Sequence, residues 1–295
     1  MTAIREFAPA KVNLTLEVPG SRADGMHEVA SLVAFASAGD ELSLDPAGGP
    51  GIEVTGPFAD KLTGTNILAR AVMLVGEQLP GLTLGSVKLQ KALPVAAGIG
   101  GGSADAAALL RVAQRIPGAQ SSDVDWLSIA RSLGADVPAC MECRPLWMTG
   151  TGHNVEPVAE LPVLDAILVN PLAAVPDDKT AQVYRALGAA TLGADYVAPS
   201  APKLTNRLEL LDFMRARGNH LATAAETVVP DIGAVLGALR ALPNVEYAAV
   251  SGGGPTCFGI FQDRRAAEAA VREIAARRPN WWAVAATLGS ARCAA

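Results

Sequence analysis

Apolar residues either alternate with polar ones or recur at helical spacing along most of this chain, and each pattern predicts an element. Over residues 11–18 the alternation is strict. Val12, Leu14, Leu16 and Val18 are assigned to the core side of one strand, and Lys11, Asn13, Thr15 and Glu17 to its other face. A polar turn at 20–25 leads into an apolar segment reaching Ala36. Residues 42–44 and 52–55 read as short strands. Residues 66–79 read as a helix, with Ile67, Ala71, Leu74 and Val75 on one side and Thr65 or Asn66 as its cap. Val87 and Leu89 alternate with Lys88 and Gln90 as in a half-buried strand, and residues 104–113 are rich in helix formers with no Gly or Pro.

Further on, Trp126, Ile129, Ala130 and Leu133 recur at i, i+3, i+4 and i+7, with Gly134 at the expected C-cap. Residues 145–152 and 166–170 read as strands flanking a boundary near 155–165, marked by Pro157 and Pro162, which divides the chain into 1–160 and 161–295. A helix opens at 179–184, and helical periodicity dominates 208–242 with breaks at Gly218-Asn219 and Pro230. Strands at 247–250 and 256–261, joined by a glycine turn, precede a helix over 264–277 and a final strand near 281–288. The expected class is α+β.

Composition narrows the function. Half of the 295 residues are hydrophobic but only 4% are aromatic, so the core must be mainly Ala, Val and Leu. The formal net charge is −5, with 24 basic and 29 acidic residues mixed along the chain. That argues against a nucleic-acid or anionic-membrane surface and leaves room for a local basic pocket. Residues 1–6 contain no apolar signal core and no run of 18 uncharged apolar residues occurs, so a cytoplasmic location is expected. Cys140, Cys143, Cys257 and Cys293 do not suggest a disulfide scaffold in a chain of this length. Cys140-Met141-Glu142-Cys143 has metal-ligand or redox spacing, yet no second Cys or His pair accompanies it; ordinary thiols are expected and no protein metal site is assigned.

The candidate chemistry lies in the glycine-rich loop between the strand near 87–89 and the helix over 104–113. Gly98, Gly100, Gly101 and Gly102 tolerate positive φ and let an anion approach the backbone, and Ser103 stands as a candidate N-cap. The free amides and the partial charge of a helix start, about half an elementary charge, suit a phosphate. A Walker A loop would need Gly-Lys-Ser/Thr at its end, and a dinucleotide fingerprint would need glycine where Ser103 stands; neither fits. The alternative is a tight turn that binds nothing, for which so many glycines would be a needless entropic cost.

Residues 93–107, Leu-Pro-Val-Ala-Ala-Gly-Ile-Gly-Gly-Gly-Ser-Ala-Asp-Ala-Ala, closely resemble the nucleotide loop of the galactokinase, homoserine, mevalonate and phosphomevalonate (GHMP) kinase superfamily. The resemblance implies a nucleotide-binding domain over 1–160 and a ferredoxin-like α+β domain over 161–295, with ATP as phosphoryl donor and magnesium accompanying it. It assigns ATP to Pro94, Val95, Ala96, Ala97, Gly98, Ile99, Gly100, Gly101, Gly102, Ser103 and Ala104, with Lys91 and Asn66 beside them. Helix capping alone would also explain Asn66. Residues 8–14, Ala-Pro-Ala-Lys-Val-Asn-Leu, resemble the first motif of one branch, whereas the Gly before the lysine and the Gly-Glu-His of the mevalonate and galactose branches are missing. The favoured branch acts on 4-diphosphocytidyl-2-C-methyl-D-erythritol and phosphorylates its 2-hydroxyl. Another small-molecule kinase of the superfamily and a nucleotide-binding regulatory protein without turnover are the alternatives.

Within that branch the resemblance gives residues their roles. Gly134-Ala135-Asp136-Val137-Pro138 matches the motif that carries the catalytic base, so Asp136 would take the hydroxyl proton and Lys11 would neutralise charge at the moving phosphoryl group. Asn13 would orient substrate. Asp24, Gly25 and His27 match a segment in which the histidine reads the cytosine edge, though Met26 stands where an aromatic is usual. Thr180 and Tyr184 match a threonine and the second wall of the cytosine clamp; Tyr184 would serve equally as helix packing. Residues 251–255, Ser-Gly-Gly-Gly-Pro, resemble the third motif, which places Gly253 near the substrate; a plain hairpin turn is the competing reading.

Overall fold

The computed structural model describes residues 3–62, 66–79, 81–82, 84–116, 124–158, 161–193, 195–290 and 293. Strands β1 (Ile4–Asn13) and β2 (Glu17–Ser21) both run antiparallel to the 19-residue β3 (His27–Asp45). Then follow β4 (Gly51–Thr55), α1 (Ile67–Gln78), β5 (Ser86–Gln90), α2 (Gly101–Gln114), α3 (Trp126–Leu133) and α4 (Val137–Glu142). Strands β6 (Leu146–Gly150), β7 (Asn154–Pro157) and β8 (Leu164–Asn170) lead to helices α5 (Lys179–Leu187), α6 (Arg207–Arg217), α7 (Ala222–Val228) and α8 (Asp231–Arg240). The chain closes with β9 (Val245–Val250), β10 (Cys257–Phe261), α9 (Arg264–Arg277) and β11 (Trp282–Gly289).

All eleven strands belong to one sheet, with the path β4-β5-β3-β11-β8-β10-β9 and with β1, β2 and β6 also on β3. The expected boundary near 155–165 falls between β7 and β8, and the sheet runs across it because β11 pairs with both β3 and β8. Strand β3 can serve so many partners because its 19 residues offer different stretches of its two edges to each of them, and residues 28–36 are buried on both faces. Its Val29, Val33 and Phe35 pack into the core beneath α1 to α4, and Ala30, Leu32, Ala34 and Ala36 pack into a second core on the opposite face.

One expectation fails at the first strand. β1 begins at Ile4, shifts register between Pro9 and Lys11, and ends at Asn13, so residues 11–18 are not one strand. Val12 and Leu14 enter the second core whereas Leu16 and Val18 enter the first; the alternation is interrupted where Leu14 and Thr15 both donate to the Leu32 carbonyl. Lys11 and Asn13 still share a side.

Helix α2 is the central element. Residues 104–113 are buried all round, which suits a run of alanines that lets β1, β3, α1 and α4 approach it closely. Its charged residues are matched inside the protein. Arg111 donates from Nε to Glu6 at 2.8 Å and from its terminal nitrogens to the carbonyls of Cys140 and Phe7. Asp105 meets Lys91 at 2.7 Å, and the same ammonium reaches Asp40 at 2.5 Å. Burial opposes charge on Lys91, but Asp105 and Asp40 outweigh it and raise its affinity for a proton. Burial likewise pushes the Asp105 carboxyl up to about 8 against the pull of Lys91.

The expected pool of free thiols also needs correction. Cys143 is disulfide-bonded to Cys293, 150 residues away, and Cys140 and Cys257 are buried free thiols. Cys140 and Cys143 are therefore neither a metal pair nor a redox pair with each other. A local spacing could not reveal a partner at the far end of the chain.

Removing the central cation tests the packing around α2. Lys91→Met leaves two carboxylates buried without their partner and is expected to lower unfolding free energy by about 3–5 kcal/mol in urea denaturation. A loss below about 1 kcal/mol would show that the triad does not hold the helix.

Candidate functional site

A cavity of about 740 Å³ opens where β1, the loop before α2, the start of α4, the start of β3, helix α5 and the turn after β9 converge. It is lined by Lys11, Asn13, His27, Gly98, Gly100, Ser103, Asp136, Thr180, Tyr184 and Gly253 among others, so the structure brings together candidates read from six separate segments.

The loop before α2 is shaped by its glycines. Gly98 and Gly100 have φ of +77° and +63°, and Gly100 is itself the cap residue of α2, its carbonyl accepting from Ala104 N at 2.8 Å. Ser103 is thus inside the first turn and not the N-cap expected. A Cβ on Gly98 would lie 2.3 Å from the Gly254 carbonyl oxygen, so the loop and the turn at 251–255 touch backbone to backbone. Ser251 fixes that contact: its hydroxyl accepts from Asn13 N at 3.2 Å and donates to Gly98 O at 3.3 Å. The third motif is therefore structurally part of the cradle.

Not every loop residue offers its side chain. Ala97, Ile99 and Ala104 are buried in the core, so a nucleotide could meet them only through the backbone. Lys91, expected among the ATP-binding residues, is 1% exposed and committed to Asp40 and Asp105, with its Nζ 3.2 Å from where a Gly101 Cβ would stand. It supports the helix start from beneath and does not face the cavity. Asn66 caps α1 by accepting from Ala69 N at 2.9 Å; Thr65, the other candidate cap, lies outside the described residues. Ile67, next to Asn66, lies against the start of α2 at Gly102.

Lys11 and Asp136 face each other across the cavity, Nζ to Oδ1, at 2.7 Å. Lys11 is buried, whereas the Asp136 side chain is 37% exposed. The backbone of Asp136 is held because it precedes α4, where Pro138 sits in the first turn and Cys140 N donates to the Asp136 carbonyl at 3.0 Å. Oδ2 has no protein partner among the described residues and is free to accept a proton. Below the pair, Cys140 is no competing nucleophile, because burial and then the Asp136 charge push its thiol up to about 12.

Asn13 donates from Nδ2 to Ser31 at 2.7 Å, and Ser31 in turn donates to the Thr15 carbonyl at 2.6 Å. This chain leaves Oδ1 of Asn13 facing Gly252 and the cavity. His27 and Tyr184 stack with ring centroids 4.6 Å apart. A base inserted between them would need two stacking gaps of about 3.5–4.0 Å each, so it would have to use another face of Tyr184 or part the rings. Burial, then the Asp136 charge, pushes the Tyr184 phenol up to about 12 and keeps it neutral. Met26 is 52% exposed at the same mouth.

Several supporting residues carried no local signal. Ser31, Asp40 and Ser251 sit in ordinary strand or turn contexts, and only the register of the sheet shows what they hold. Asn219 and His220, in a segment whose pattern predicts only a helix break, anchor two different parts: Asn219 Nδ2 donates to the carbonyls of Val250 at the end of β9 and of Gly252 in the third motif, and His220 Nδ1 accepts from Val18 N in β2 at 3.1 Å. Lys179, whose sequence context predicts only the opening of a helix, lines the cavity.

A glycine cradle at a helix start, facing a lysine–aspartate pair on a mixed α+β sheet, defines a small-molecule kinase site, and comparison agrees. The family model of the GHMP kinases N terminal domain matches residues 66–143 and that of the GHMP kinases C terminal matches 201–280; the chain belongs to the GHMP kinase family. Among curated relatives, the 4-diphosphocytidyl-2-C-methyl-D-erythritol kinase of a Bradyrhizobium species is 44% identical over 97% of each chain. The protein of that name from Methylobacterium radiotolerans is 44% identical over 96% of this chain and 98% of its own. A crystal structure of 4-(cytidine 5'-diphospho)-2C-methyl-D-erythritol kinase superposes with a TM-score of 0.73 at 33% identity, covering 97% of this chain and 99% of that one. A homoserine kinase from Cytophaga hutchinsonii, at 16% identity and TM-score 0.66, shares the fold.

The tight contact between loop and turn is testable by paired substitutions. Gly98→Ala combines a positive φ with a 2.3 Å clash, whereas Gly25→Ala, at φ +80°, meets nothing within 4 Å. Both should lose about 1–2 kcal/mol from backbone strain, and Gly98→Ala should lose more, as read by thermal denaturation. Equal losses would mean that the loop and the turn are not in contact.

Proposed function

We propose that this protein transfers the γ-phosphoryl group of ATP to the 2-hydroxyl of 4-diphosphocytidyl-2-C-methyl-D-erythritol, giving ADP and the 2-phosphate, as a cytoplasmic enzyme of the non-mevalonate isoprenoid route. The observation that carries the reading is the Lys11–Asp136 pair, 2.7 Å apart, set between the glycine cradle and the His27–Tyr184 stack in one cavity. The cradle suits the phosphates of ATP, and the stack suits a pyrimidine. The near full-length similarity to kinases named for this substrate supports the choice of acceptor.

The chemistry follows from the placement. Asp136 accepts the proton of the 2-hydroxyl at Oδ2 as that oxygen forms its bond to the γ-phosphorus, and the bond from phosphorus to the bridging oxygen of ADP breaks. Lys11, held by Asp136 through the other carboxylate oxygen, balances the charge of the moving phosphoryl group. Asn13 accepts a hydrogen bond from the substrate at Oδ1. Positioning contributes roughly 7–11 kcal/mol in well-oriented reactions, against a factor of about 10²–10⁴ from a general base, so the cradle and the stack matter more than Asp136 alone.

No three His, Cys, Asp or Glu side chains converge as a metal cage among the described residues. Magnesium is expected to arrive with ATP and would be held mainly by phosphate oxygens, with the Ser103 hydroxyl as a cavity oxygen available to it. When bound it would neutralise phosphate charge.

ADP release with MgATP against the cytidyl methylerythritol substrate, mevalonate, homoserine and galactose tests the proposal. Turnover with the first alone is expected; turnover with another acceptor would keep the kinase site and discard the pyrimidine assignment, and silence with all four despite ATP binding would favour a regulatory protein. Asp136→Asn is expected to lower kcat by about 10²–10⁴ with ATP affinity retained, as a general base would. Near wild-type turnover would remove Asp136 from the mechanism.

A further inference from the structure

Four cationic side chains are buried among the described residues: Lys11, Lys91, Arg111 and Lys179. Three have carboxylate partners. Lys11 pairs with Asp136, Lys91 with Asp40 and Asp105, and Arg111 with Glu6. Lys179, 6% exposed, differs: its Nζ donates to the carbonyls of Ala96, at 2.9 Å, and Gly254, and no carboxylate lies within ion-pair distance among the described residues.

An uncompensated buried ammonium is costly unless a counter-charge reaches it. Ammonium has three donors, and the two carbonyls use two of them. The side chain lines the cavity with Gly98, Gly252 and Gly253, at the seam where the phosphate loop and the turn after β9 meet backbone to backbone. Ala96 belongs to the phosphate loop, Gly254 to the turn after β9, and Lys179 itself to the start of α5, which carries Thr180 and Tyr184. One side chain therefore joins the expected ATP side of the cavity to the expected pyrimidine side.

We propose that Lys179 is a phosphate-binding residue whose counter-ion is the diphosphate of a nucleotide entering this cavity, and that it couples the two glycine segments to α5. The proposal rests on the nucleotide reading of the cavity given above. Adenosine and cytidine diphosphates share the required chemistry, and the two are separated by experiment. Burial brings the Lys179 ammonium down to about 8, so a bound diphosphate should restore its proton.

The ionisable groups on its own segment are Asp177, Asp178, Tyr184 and Arg185, and α7, which packs on α5, brings Glu226. Lys11, His27 and Asp136 line the cavity. Asp105, beneath the loop, is raised to about 8 as well and would respond to an anion, so the variant and not the wild type alone isolates Lys179.

The test is calorimetric titration of ADP and of CDP, separately, into the full chain at pH 8 in buffers of different ionisation enthalpy. At least one ligand is expected to bind with uptake of about half a proton in excess of that seen with Lys179→Arg, which stays charged and should keep its affinity within about threefold. Lys179→Met should weaken the same ligand at least tenfold, with the other much less affected; a ligand whose phosphates lie elsewhere shows neither effect. Binding with equal proton uptake in wild type and Lys179→Arg, or unweakened binding by Lys179→Met, would overturn the assignment while leaving the nucleotide site intact. Failure of both ligands to bind the wild type would overturn the cavity's nucleotide reading and this proposal with it.

Discussion

Lys11 fastens three parts of the molecule through two hydrogen bonds. Its backbone N–H donates to the Ile99 carbonyl at 2.9 Å, tying β1 to the glycine loop, and its side chain holds Asp136 at 2.7 Å, tying the same strand to the start of α4. The register shift between Pro9 and Lys11 sets which way that side chain points, because it re-aims the end of β1 after the strand has been paired with the outer half of β3. The cradle, Asp136 and Asn13 all take their places from this short stretch. An ion pair drawn from residues 125 positions apart stays aligned only if both ends are fixed to rigid elements, and here one end is sheet and the other is the turn into a helix packed on α2.

The buried charges serve the same end. A helix rich in alanine packs closely but carries few features that fix its rotation and height, so the polar residues along it supply that information. Asp105 joins it to Lys91 and Asp40, and Arg111 joins it to Glu6 and to the Cys140 carbonyl in α4. These groups lie under the glycine loop and next to the segment that bears Asp136, so fixing α2 also fixes the site. Lys179 belongs to a different category because its partners are carbonyls and its remaining side is the cavity.

Much of this was legible in the sequence where the determinants are local. Helix α3 has the predicted bounds because its apolar spacing, an acidic cap at Asp125 and Gly134 coincide, and α9 likewise runs over the predicted 264–277. The cavity gathers Lys11, Asn13, His27, Asp136, Thr180, Tyr184, Gly253 and, from the loop, Gly98, Gly100 and Ser103, whereas Asn66, Lys91 and the rest of the loop do not line it. Misses occur where a distant partner decides. The break after Asn13 depends on β3, the N-cap of α2 moves from Ser103 to Gly100 because the loop is pulled against Gly254, Lys91 is claimed by Asp40 across the sheet, and Cys143 finds Cys293. None of these contacts leaves a periodic trace.

The central claim is that Asp136 and Lys11 address the hydroxyl and the phosphoryl group that react. The most direct measurement is a crystal structure of the protein with a non-hydrolysable ATP analogue and 4-diphosphocytidyl-2-C-methyl-D-erythritol bound together. The 2-hydroxyl is expected within hydrogen-bonding reach of Asp136 Oδ2, with the γ-phosphate in line beyond it and beside Lys11. A substrate hydroxyl remote from Asp136, or phosphates seated away from the loop at Gly98 to Gly102, would contradict it.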